Sequence, residues 1–112
     1  MVATGNGAIS SGNTAILVYQ LANAASPSIY TNGTLRGVGT YSALTAGRTT
    51  TIGVFIGPGD YFTGTMFEII GYNTSLTTNQ RQSVEGYLAW KWGLQGSLPA
   101  THPFKNFAPP PN

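Results

Sequence analysis

At 112 residues the chain is sized for one domain and one modest core, and its charge content removes several function classes at once. Only 7% of its residues are charged, against roughly 25% in an ordinary soluble domain, and its five basic side chains are scattered singly rather than clustered, which leaves no nucleic-acid footprint. No cysteine is present for a disulfide or thiolate metal site, and no apolar run approaches the roughly 20 residues of a membrane span.

Residues 1–13, MVATGNGAISSGN, are rich in Gly, Ser and Asn and read as a flexible arm. They have neither a basic flank nor an apolar centre, so they do not read as a signal peptide. TAILVYQLA (14–22) is rich in strand formers and predicts the first strand. Next comes Asn32-Gly33, two residues that tolerate the positive φ of a type I′ turn. It predicts a hairpin pairing 28–31 with 34–38. RTTTIGVFIG (48–57) predicts a further strand, stopped by Gly57-Pro58-Gly59. YFTGTMFEIIGYN (61–73) predicts a long strand, with Met66, Glu68, Ile70 and Tyr72 on one face and Phe67 and Ile69 on the other. Apolar residues on both faces point to a strand covered from both sides.

One helix is expected over about 78–92. Thr77 serves as N-cap and Gln80 completes a capping box. Val84, Tyr87, Leu88, Lys91 and Trp92 form the expected buried stripe, with the Lys91 methylenes lying along it. Gly93 supplies a left-handed stop, and Leu94 is placed to fold back on Leu88 and Ala89. Arg81 and Glu85 stand at i, i+4, a spacing worth a few tenths of a kcal/mol on a helix surface. Residues 105–112 end in three prolines and read as an extended tail or docking strap. Strands turning every 8 to 15 residues, followed by one late helix, describe an all-β sandwich.

Residues 62–104 carry a more specific pattern. In order come Phe62, Gly64, Glu68, Tyr72, Asn73 and Leu76, then Arg81-Gln82, Val84 to Ala89, Lys91 to Leu94, Leu98-Pro99 and His102-Pro103. This run resembles the C-terminal end of laminin G-like domains of the concanavalin A-like jelly roll. Met66, Thr77, Gln80 and Phe104 depart from the usual residues but keep their chemistry. IYTNGTLRG resembles the family's upstream hairpin and TIGVF its following strand, so the resemblance spans about residues 14–104. It implies a jelly-roll sandwich with one short C-terminal helix. A full jelly roll of this kind needs about a dozen strands in two sheets, and this chain offers roughly six. The match therefore covers the C-terminal half, and half a sandwich leaves apolar faces bare. The missing strands are expected from a neighbouring chain by strand addition, or from the rest of a longer protein; a smaller self-contained sandwich is the remaining alternative.

Among candidate site residues, Trp92 is expected in the core, on the helix stripe. Trp90 lies off the stripe and is expected under the LPATHPF tail, with sugar stacking as its alternative role. His102 is the only histidine; without neighbouring carboxylates it is no metal site, and its place in the tail motif implies a hydrogen-bonded structural role. Glu68, once buried, needs a partner such as Arg81, Arg48 or a backbone N–H. Ligand contact, where it exists, falls to Trp90, Tyr61 and Asp60. Asp60 with its glycine carbonyls falls short of the oxygen set calcium needs, so no cofactor is expected. Glycosidases flank the scissile bond with two carboxylates; EIIGYN offers one, and a single histidine builds no Ser-His-Asp triad. A non-enzyme is expected. The Asn32-Gly33-Thr34 and Asn73-Thr74-Ser75 sequons read as a turn and a strand end.

Two functions fit these features. The first is a non-catalytic assembly module of a virion or cell surface, of capsid-decoration, spike or fibre type, packed against neighbouring chains. The second is a lectin-like adhesion module that recognises surface glycans, on family analogy. Neither involves nucleic acid or a membrane span.

Overall fold

The computed structural model describes residues 9–21, 27–39, 52–53 and 61–111. A three-stranded antiparallel sheet in the order β1-β2-β3 is built from β1 (Leu17–Leu21), β2 (Pro27–Thr31) and β3 (Thr34–Val38). One helix follows, α1 (Thr78–Lys91), and then a short 3-10 turn at Gln95–Ser97.

The hairpin forms as its sequence dictates. Asn32 has φ 50° and Gly33 φ 78°, the two positive values of a type I′ turn. Asn32 also extends the sheet. Its N–H donates to the Ile16 carbonyl at 2.9 Å, and its Oδ1 accepts the Ile16 N–H at 2.8 Å, continuing the ladder beyond the Leu17–Thr31 pair. On the far side, Ile29 faces Gly37 while Tyr30 faces Leu35, so Arg36 is the extra residue of a β-bulge in β3.

α1 begins and ends on its predicted signals. Thr77 Oγ1 accepts the Gln80 N–H at 3.3 Å, and Gln80 Oε1 accepts the Thr77 N–H at 2.9 Å. Gly93, at φ 69°, turns the chain so that the Leu94 N–H donates to the Ala89 carbonyl at 2.7 Å, a Schellman closure. Ile16, Ala89 and Leu98 form the apolar core, and Val18, Leu88 and Leu94 pack against it. Val18 thus turns toward the core, and by strand alternation Leu17 and Tyr19 turn away. They are 57% and 60% exposed.

Three expectations are corrected. The buried face of α1 is Arg81, Glu85, Gly86 and Ala89, not Val84, Tyr87, Leu88, Lys91 and Trp92. Short side chains let the C-terminal segment lie close: a Cβ on Gly86 would stand 2.6 Å from the Phe104 side chain. Trp92 is therefore not a core residue and is 38% exposed. Residues 62–73 carry no strand ladder; only Tyr61 forms an isolated bridge, and the Phe62 N–H donates to the Gly53 carbonyl at 2.8 Å. The strand expected over 48–57 lies outside the described residues, except for Ile52 and Gly53, which form a bend. The turn at 57–59 lies wholly outside them, as do Asp60, Arg48 and the first eight residues of the arm. Among the described residues no helix is long and apolar enough to cross a membrane.

Candidate functional site

Two polar clusters hold α1 to its surroundings, one buried and one at the surface. The buried cluster centres on Glu85, the largest fully buried side chain among the described residues. Arg81, one turn earlier on α1, donates from Nη1 to Glu85 Oε1 at 2.7 Å. Its guanidinium lies 3.8 Å from the centroid of the Tyr30 ring, a cation–π stack that ties helix to hairpin.

His102 takes the second carboxylate oxygen. The Phe104 N–H donates to His102 Nδ1 at 3.2 Å, which fixes that nitrogen as an acceptor and places the ring proton on Nε2. Nε2–H then donates to Glu85 Oε2 at 3.2 Å. The imidazole rests on Gly33, where a Cβ would stand only 2.9 Å from Cδ2. The network therefore joins hairpin, helix and C-terminal segment, and each carboxylate oxygen has a donor. Arg81, Glu85 and His102 are all buried, and together they tie the three segments to one another. The Arg81–Glu85 pair is also far from the surface pair that its spacing alone describes.

The surface cluster centres on Glu68. Trp92 Nε1–H donates to Oε2 at 2.9 Å, the Tyr87 hydroxyl donates to Oε1 at 3.3 Å, and Lys91 Nζ lies 3.1 Å from Oε2. Lys91 also donates to the Tyr87 hydroxyl at 2.8 Å. The indole N–H of Trp92, aided by the Lys91 ammonium and the Tyr87 hydroxyl, holds the Glu68 carboxyl below its ordinary range. Tyr87 and then Glu68 hold the Lys91 ammonium above its ordinary value. Phe67 packs on Trp92 with ring centroids 5.1 Å apart. Glu68 is thus partnered by the last turns of α1, not by Arg81.

Trp90 Nε1–H donates to the Phe104 carbonyl at 2.9 Å, which ties it to the tail, while its ring stays 38% exposed. Lys105 Nζ reaches the carbonyls of Gly96 and Leu98 at 2.6 and 2.8 Å and pins the same segment. Tyr61 is exposed, and Asp60 lies outside the described residues. The aromatic pairs among the described residues are Phe67–Trp92, His102–Phe104 and Phe104–Phe107, so Tyr61 and Trp90 do not combine into one platform. Among the described residues no three His, Asp or Glu side chains are grouped to hold a metal ion.

An open groove of about 850 Å³ runs beside α1, lined by Ile70, Tyr72, Val84, Tyr87 and the tail prolines Pro109, Pro110 and Pro111. Sequence reasoning missed Tyr30 and Gly33 as partners of the buried network. The available signal was a helix pair at i, i+4 together with a lone histidine in the returning tail. Comparison with protein-family models, curated proteins and solved structures finds no match to the chain.

Proposed function

We propose that the chain is a non-catalytic assembly module of a virion or cell surface, built as the C-terminal part of a laminin G-like jelly roll and completed by strands from a neighbouring polypeptide or from a further segment of its own protein. One observation carries this reading: large apolar side chains lie outside while a carboxylate lies inside. Leu17 and Tyr19 share the sheet face away from the helix, and Tyr61, Phe62, Phe67, Ile69 and Tyr72 are exposed along one segment. A sheet with one apolar face uncovered lacks its second layer, and patches of this kind mark surfaces that other chains cover. The low charge supports the same reading, because such a surface repels neighbours weakly. Both described carboxylates are committed to structural partners, which supports a module without catalysis.

Sedimentation of the purified chain over a wide concentration range, with an apolar dye as reporter, tests the reading. The expected result is self-association or strong dye binding, reversed when strands that complete the sandwich are supplied. A compact, dye-silent monomer overturns it. Were that monomer to bind a glycan array through Trp90, with the signal lost in Trp90→Ala, the lectin-like adhesion reading would take its place.

A further inference from the structure

We infer that Asn32-Gly33 is a site of spontaneous covalent modification, at which the Asn32 amide is lost through a cyclic imide once the hairpin opens. In the closed fold the packing of Gly33 under His102 and Pro99 holds that reaction back. The inference stands on the turn alone and goes beyond the assembly reading, so neither depends on the other.

The reaction needs only water. The Gly33 backbone nitrogen gives up its proton to solvent and attacks Asn32 Cγ. The new N–Cγ bond closes a five-membered imide while the Cγ–Nδ2 bond breaks, and the side-chain nitrogen leaves as ammonia with a proton from solvent. Water then opens the ring at one of its two carbonyls, giving aspartate or, where the main chain is rerouted through Cγ, isoaspartate. Glycine favours the attack because no side chain shields its nitrogen. In the fold both partners are held. Asn32 Oδ1 accepts the Ile16 N–H at 2.8 Å, so the amide is turned across to the neighbouring segment instead of forward onto Gly33. The Asn32 N–H is fixed on the Ile16 carbonyl at 2.9 Å, and pairing of Thr31 with Thr34 holds the turn at its φ values of 50° and 78°. A Cβ on Gly33 would stand 2.9 Å from His102 Cδ2 and 3.4 Å from Pro99 Cδ, so the turn is pressed against the tail and lacks room to rotate.

The two products differ in effect. Aspartate at position 32 keeps an oxygen for the Ile16 N–H and leaves the main chain unchanged. Isoaspartate adds one carbon to the main chain, and a two-residue turn that closes Thr31 on Thr34 has no place for it. Gly33 then shifts from under the imidazole. His102, which accepts the Phe104 N–H and donates to Glu85, each at 3.2 Å, loses its seat. One opening of the hairpin is thereby recorded as a permanent loosening of the C-terminal segment.

The test is incubation of the full chain at mildly alkaline pH, in buffer and in denaturing urea, beside the free peptide YTNGTL of residues 30–35, with the products read by mass spectrometry. Conversion at Asn32 should be at least about tenfold slower in the folded chain than in urea or in the peptide. His102→Ala, which uncovers Gly33, should convert faster than the native chain. Isoaspartyl chains, separated by chromatography, should show at least about tenfold faster hydrogen exchange of the Phe104 amide, while Asn32→Asp matches the native chain. Equal conversion in buffer and in urea overturns the inference, as does a free peptide that does not convert. A folded His102→Ala chain that converts at the native rate overturns the part assigned to the tail, and so do isoaspartyl chains with native protection at Phe104 or an Asn32→Asp chain loosened to the same degree. The urea comparison needs no variant, so it decides the matter even where His102→Ala fails to fold.

Discussion

Replacing Glu85 by glutamine tests the buried network most directly. The side chains are nearly identical in shape, so packing is kept while the charge is removed. In the native chain one carboxylate oxygen faces Arg81 at 2.7 Å and the other faces His102 at 3.2 Å. Glutamine supplies one acceptor and one NH2 group. Whichever way the amide turns, a donor confronts either the guanidinium or the Nε2–H, and Arg81, only 7% exposed, remains without a counter-ion. Breaking a buried pair by removing one partner costs about 3–5 kcal/mol. At this chain length that corresponds to a fall in Tm of roughly 10–30 °C, since each kcal/mol moves a domain of this size by roughly 3–6 °C. A surface pair at the same spacing would cost only about 0.3–0.5 kcal/mol. Urea denaturation of the native chain, Glu85→Gln, Arg81→Met and the double variant would read this. The double variant should be less unstable than the sum of the singles by about 1–3 kcal/mol, because removing the cation relieves the stranded charge. A loss below about 0.5 kcal/mol in Glu85→Gln, within the range of surface changes, would refute the reasoning.

Two further outcomes follow from contacts already described. Gly86→Ala should destabilise by about 1–3 kcal/mol in a thermal melt, because overpacking against Phe104 outweighs the gain of roughly 1 kcal/mol in helix propensity; a stabilised variant would mean the tail moves aside freely. The Glu68 carboxyl is held below its ordinary range, so its contacts stabilise the fold above the unfolded carboxylate pKa and are lost as pH falls through the depressed folded value. Trp92 fluorescence should therefore change only at pH beneath the ordinary glutamate range, and Glu68→Gln should abolish that transition.

Local geometry was legible in the sequence wherever one or two residues determine it. Asn32-Gly33 determines a turn through its allowed φ, Thr77 and Gln80 determine a helix start through reciprocal hydrogen bonds, and Gly93 determines its end. The buried face of α1 was not legible, because its period was read from apolarity. Val84, Leu88 and Trp92 make the more hydrophobic stripe, but the face that packs closest is the one with the smallest side chains and a charge pair able to neutralise itself. Glycine and alanine at 86 and 89 carry little hydrophobic signal, yet they allow the closest approach. The partners of His102 were hidden for another reason: Glu85 lies 17 residues away and Gly33 on a different hairpin, and only the folded path of the tail brings them together. The expected strand at 61–73 shows the limit of pattern reading. Alternation specifies which way side chains can turn, but a ladder requires a second backbone.

Because the ring that completes the Glu85 network belongs to residue 102, the helix cannot be sealed against the hairpin until that residue has left the ribosome. Domains generally take shape as they emerge, N-terminal portion first, at about 5–20 residues per second. The nascent hairpin and helix must therefore wait together with an unfinished polar seam between them. Any chain cut short before this histidine would present that seam, with a half-partnered acid, to the cell's proteases.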